Sequence, residues 1–112
     1  LSMLVEDGNR GVTEGRAEDV RADGAFLSSG GRVQRDLTVA AINAFAALDK
    51  AEPNSLVVLD ALSASGLRAL RIALEVPCCK LVLGNDKSEG AYACIRANVE
   101  KHQGALEIAK AE

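Results

Sequence analysis

Hydrophobic positions divide the chain into an irregular front and a strongly patterned remainder. Leu56, Val57, Val58 and Leu59 form a continuous apolar run with two β-branched residues. That is the pattern of a strand buried on both faces of a parallel sheet. Asp60 ends the run with a charge, and Ala61, Leu62, Ser63, Ala64, Ser65 and Gly66 follow. Nearly all are small, as needed where a backbone turns sharply and admits a ligand close to its amides. From Leu67 to about Glu75 the period becomes helical, with Leu67, Leu70, Ala73 and Leu74 on one side and Arg68 and Arg71 on another. Pro77 stops that helix. Lys80 to Leu83 reads as a second buried strand, and Asp86 stands just past its end.

The flanks predict further elements. Asp36 is placed to cap a helix running to about Leu48, with Leu37, Ala41, Ala44, Phe45 and Leu48 sharing a face. Ala51 to Ser55, containing Pro53 and Asn54, is a turn. Ser88 is a natural N-cap for a helix carrying Ala91, Tyr92, Ile95 and Val99 inward, with Gly104 as its stop. Leu106 to Ala109 is a third strand candidate. Leu1 to Gly31 is rich in glycine and charge, and reads as an irregular arm with at most a short strand or hairpin near Val12 and Phe26. The alternation of strands and helices gives an α/β fold.

Strand, small-residue turn, helix, strand, acid is also the front half of a nucleotide-type cofactor site. Ligands of doubly wound sheets bind outside the carboxyl ends of the strands, where Asp86 can accept hydrogen bonds from ribose hydroxyls. A dinucleotide site needs G-x-G-x-x-G, so that a helix N-terminus can hold a pyrophosphate. This turn has one glycine, Gly66, and two serines. S-adenosylmethionine has no phosphate, and an Asp for its ribose with an Arg for its carboxylate suits it better. Read alone, the pattern serves either a cofactor site or a plain βαβ unit.

Composition narrows the rest. With 112 residues, 48% of them hydrophobic, one domain with a modest core is the ceiling. Cys78 and Cys79 are adjacent and Cys94 is remote, which gives no zinc-ligand spacing. Three thiols fit an intracellular, reducing compartment. His102 is the only histidine, and it reads as a favourable charge near a helix end rather than a catalyst. No apolar run reaches the length of a bilayer span. The net charge of −3, with Arg10, Arg16, Arg21 and Arg32 diluted by acids, argues for a weak grip on nucleic acid.

QRDLTVAAI (Gln34 to Ile42), LDALSASGLRALRIALEVP (Leu59 to Pro77) and NDKSEGAYACIRANVE (Asn85 to Glu100) resemble successive blocks of the tRNA guanosine N2,N2-dimethyltransferase family. VTEGRA (Val12 to Ala17) resembles the segment that opens that family's catalytic domain. Together these blocks cover well over half the chain in the right order. The resemblance implies a Rossmann-like class I S-adenosylmethionine-dependent methyltransferase fold, present as the front half of the sheet. It implies methylation of the exocyclic N2 of the guanosine at position 26 of tRNA, in two rounds, with the base out of its stack. By position, Arg35 and Arg68 match arginines that contact the cofactor, Asp86 matches the acid that holds the ribose, and Ser63 and Gly66 belong to the turn beneath it. Arg35 and Arg68 read equally as solvated helix charges when the resemblance is set aside.

Two departures qualify the match. The family has an aromatic-rich segment just ahead of the R-D pair, whereas here Gly30, Gly31, Arg32 and Val33 run straight into Gln34. The expectation is a gap near 33/34, with residues 1–33 an irregular arm and 34–112 the first half of the methyltransferase domain. The family's catalytic D-P-F-G motif has no counterpart: Pro53 follows Glu52 and Pro77 follows Val76. The catalytic half and a tRNA-gripping C-terminal domain are therefore expected to lie outside this chain, which should be inactive by itself. No catalytic residue and no metal ligand is assigned. The competing readings are a methyltransferase of the same fold with another RNA substrate and a non-catalytic RNA-binding or interaction paralogue. A dehydrogenase half is weaker, because its glycines are missing.

Overall fold

A computed structural model describes Leu4–Asp7, Gly11–Glu14 and residues 31–103. Its elements are β1 (Leu4–Asp7), β2 (Gly11–Glu14), α1 (Arg32–Leu48), β3 (Leu56–Asp60), α2 (Leu67–Glu75), β4 (Cys79–Gly84) and α3 (Glu89–Lys101). β1 and β2 pair antiparallel, with Glu6 opposite Val12, so the hairpin expected near Val12 is present. Phe26, Gly104 and the strand expected at Leu106 to Ala109 lie outside the described residues.

β3 and β4 pair in parallel, Val57 opposite Leu81, Val58 opposite Val82 and Leu59 opposite Leu83. α2 makes the crossover, a mixed helix and strand arrangement compatible with part of a methyltransferase fold. Val39 of α1, Ile72 and Val76 of α2, and Cys79 of β4 form the core, with Ile42, Val58 and Val82 packed against it.

Among the described residues, both strands are packed against helices on one face rather than two. Val58 and Val82 point into the core, whereas Val57, Leu59, Leu81 and Leu83 are 45–63% exposed. A strand alternates its side chains between faces, and the described helices packed into this core lie on a single side of the pair.

α1 also corrects its expected orientation. It begins at Arg32 behind Gly31, with no side-chain cap. Asp36 pairs with Arg71 of α2 instead of capping. Arg35, Val39 and Ala46 are buried, while Leu37, Phe45 and Leu48 face outward. Two polar ties set this phase: the Asp36–Arg71 ion pair, and the Asn43 side-chain amide donating to the Glu75 carbonyl at 3.1 Å. Arg71 is itself buried and also bonds Glu75, so its anionic partners must come to it.

In α3, Ser88 caps as expected, its Oγ accepting from the Ala91 N–H. The inward row is Ala91, Cys94, Ile95 and Asn98, and Tyr92 and Val99 are exposed. A buried asparagine takes the position that hydrophobicity alone assigns elsewhere. His102 is the C-cap and is buried rather than a surface charge, with Nδ1–H donating to the Asn98 carbonyl at 2.8 Å.

Candidate cofactor-binding site

Four of the five residues singled out from sequence gather where β3 and β4 end. Beyond Asp60 the chain turns back beside the end of β4, and backbone bonds lock the two together. Asn85 N–H donates to the Asp60 carbonyl and Ser63 N–H donates to the Asn85 carbonyl, both at 2.9 Å. Gly66 then starts α2 at φ +83°, a left-handed conformation that glycine adopts without a Cβ penalty. A Cβ there would meet Ile95 Cα at 3.3 Å, so α3 also presses on this point. Gly84 serves the same approach from β4: its Cβ would stand 3.0 Å from Ser63 Oγ.

Asp86 fastens the turn from the opposite strand. Its carboxylate accepts the Ala64 N–H at 3.1 Å and the Ser88 N–H at 3.0 Å. Ala64 sits at φ +47°, an uncommon conformation for a residue with a Cβ, and its amide is aimed at that carboxylate. The Ser88 and Ala64 N–H groups hold the Asp86 carboxyl below the ordinary carboxylate range. With its pKa lowered by those amides, Asp86 is an ionised acceptor, and it is only half-buried, so solvent reaches it. Each carboxylate oxygen has lone-pair capacity beyond the one amide it binds, enough for ligand hydroxyls.

On the near side lies a group that sequence reading treated only as a strand-ending charge. Asp60 is buried, accepts the Ser63 hydroxyl at 2.9 Å, and stands 3.6 Å from an Arg68 guanidinium nitrogen. Arg68 Nε is buried and has no hydrogen-bond partner. Asn98 was missed too. It donates to the Ser65 carbonyl at 2.7 Å and ties α3 to the turn. Arg35 stands on another element, buried in α1.

The arrangement thus offers a fixed, ionised acceptor, a cation with donor capacity to spare, and an open backbone turn at the carboxyl ends of two parallel strands. It fits a ligand carrying vicinal hydroxyls and a carboxylate. It does not cradle a pyrophosphate, because one glycine opens α2 and no further glycines line the turn. Among the described residues, no group of three or more His, Cys, Asp or Glu is placed to hold a metal ion.

The family model described as N2,N2-dimethylguanosine tRNA methyltransferase matches residues 14–112. The chain belongs to that family. It is 35% identical over 95 residues to the tRNA (guanine(26)-N(2))-dimethyltransferase of Pyrococcus horikoshii, covering 85% of this chain and 23% of that protein. The Caenorhabditis elegans protein of the same name is 48% identical over 60 residues, covering 54% of this chain and 11% of that protein. The human one is 54% identical over 43 residues, covering 38% of this chain and 6% of that protein. The chain therefore spans about a quarter or less of the length of these curated relatives. No solved structure matches it significantly. For the dimethyltransferase family the matched region includes every site residue named above, from Arg35 to Asp86.

Proposed function

We propose that this chain is the cofactor-binding half of a Rossmann-like, S-adenosylmethionine-dependent tRNA guanosine N2,N2-dimethyltransferase acting at guanosine 26. The observation that carries the reading is Asp86. It is an ionised carboxylate pinned by Ala64 and Ser88 at the carboxyl ends of parallel strands, opposite a turn opened by Gly66. Bound there, S-adenosylmethionine supplies an electrophilic methyl group for the guanosine amine. The protein's part is positioning. Asp86 accepts the ribose hydroxyls, the 63–66 turn supports the adenosine side, and Arg68 meets the carboxylate of the amino-acid tail. Arg35, buried in α1, is proposed to reach the same tail, on family resemblance alone. Holding the donor in one orientation removes much of the entropic barrier of a bimolecular transfer.

The residue that takes the amine proton belongs, in this reading, outside these 112 residues, which contain no Asp-Pro pair. So does most of the tRNA grip, because a chain of net charge −3 neutralises few phosphates. Three cysteines without zinc-ligand spacing, Cys78, Cys79 and Cys94, fit a reducing, intracellular compartment. No helix among the described residues is long and apolar enough to cross a membrane.

The test is transfer of labelled methyl from S-adenosylmethionine to tRNA by the full-length protein, followed by nucleoside analysis. Label in N2,N2-dimethylguanosine supports the reading. Label in another nucleoside supports the same fold with a different RNA substrate, and cofactor binding without transfer supports a non-catalytic paralogue. Asp86→Ala should weaken S-adenosylhomocysteine binding by about tenfold or more in calorimetry. Unchanged affinity would remove Asp86 from the site.

A further inference from the structure

Asp60 is the one acid at this site with almost no path to a ligand. Its side chain is 4% exposed, against 37% for that of Arg68. A buried carboxylate is tolerated only when its neighbours compensate it. Here they are the Ser63 hydroxyl at 2.9 Å and the Arg68 guanidinium at 3.6 Å. Arg68 in turn stands in the first turn of α2, which carries no acidic residue. The positive end of the helix dipole disfavours a cation there. Asp60 supplies the missing negative charge from below. One guanidinium nitrogen, Nη1, therefore stands beside Asp60, with Nε buried and unpartnered, while part of the side chain reaches solvent. Five donors in a rigid fork leave capacity for a bidentate anion on the outer side.

We propose that Asp60 is a positioning residue: its buried carboxylate holds the Arg68 guanidinium beside the turn so that the outer edge meets the carboxylate of the cofactor's amino-acid tail. This rests on the reading above that Arg68 takes that carboxylate. Asp60 acts through Arg68 and touches no ligand.

The test compares two ligands by calorimetry on the full-length protein. S-adenosylhomocysteine carries the tail; 5′-methylthioadenosine has the same adenosine and no amino-acid tail. Asp60→Asn keeps an acceptor for Ser63 and loses the ion pair. It is expected to weaken S-adenosylhomocysteine by about tenfold and to leave 5′-methylthioadenosine within about twofold. In an Arg68→Gln background, Asp60→Asn should have no further effect on either ligand. Equal weakening of both ligands overturns the proposal and leaves Asp60 a support of the turn. Further loss in the Arg68→Gln background overturns it in favour of direct contact with the ligand. Binding of neither ligand by the unaltered protein removes the cofactor reading itself, and this proposal with it.

Discussion

The two faces of the β3–β4 pair are built from the same kinds of residue and have opposite fates. On one, Val58 and Val82 meet Val39, Ile72 and Val76. On the other, Val57, Leu59, Leu81 and Leu83 stand 45–63% exposed, in facing pairs across the two strands. Nothing in the composition of the strands marks which face is which. The difference teaches that apolar strand residues report a capacity for burial, and that the helices packed against them decide its use. The carboxyl ends of the same strands present a third case, where burial is polar and almost every group is partnered. The stability of the described fold should therefore rest on one sheet face and on the turn at its end.

Substitutions can break that comparison. The largest effect is expected on the covered face. Ile72 is 1% exposed, and Ile72→Ala should cost about 3 kcal/mol in urea unfolding. A small cost would mean that the core does not close there. Next is the turn. Gly66→Ala forces a Cβ into a left-handed conformation 3.3 Å from Ile95 Cα, and should cost about 2 kcal/mol. An unchanged unfolding midpoint would mean that α2 starts elsewhere.

A smaller, pH-dependent effect belongs to Asp86. Its folded carboxyl is held below the ordinary value by the Ser88 and Ala64 amides. Such a group stabilises the fold above its unfolded pKa, and that contribution disappears as pH falls through the folded one. The unaltered protein should thus lose stability from about pH 4 downward, and Asp86→Asn should lack that part of the decline. Identical acid profiles would mean that the carboxylate does not hold the turn. The smallest change is expected on the bare face, where Leu59→Thr should alter stability by less than about 0.5 kcal/mol. A loss approaching that of Ile72→Ala would sharpen the comparison in another way, because it would mean that this face is covered in solution.

Legibility varied with the kind of signal. β3, α2, β4 and the Ser88 cap were readable to within a residue or two, because apolar runs, a small-residue turn, Pro77 and a capping serine are local instructions. That Ser63, Gly66, Arg68 and Asp86 lie together was readable, since strand–turn–helix connectivity brings the end of each strand to the same edge. The inward face of α1 was not readable. Its many alanines suit either side, and the choice fell to Asp36 and Asn43 meeting Arg71 and the Glu75 carbonyl. In α3 the burial of Asn98 was not legible, because a polar residue inside a helix row looks like a surface one until its partner is known. The role of Asp60 was hidden for the same reason: its meaning lies in Ser63 and Arg68 folding back over it.

From sequence alone, then, came the order of elements, the place of the turn and the chemistry of its acid and arginine. Each depends on residues close along the chain. Tertiary structure alone decided which sheet face is buried, how α1 and α3 are rotated, and which of the two carboxylates, Asp60 or Asp86, stands beside an arginine. Those choices depend on pairings between elements, Asp36 with Arg71, Asn43 with Glu75 and Asn98 with Ser65 among them, and free energies of pairing and burial are settled only when the elements meet.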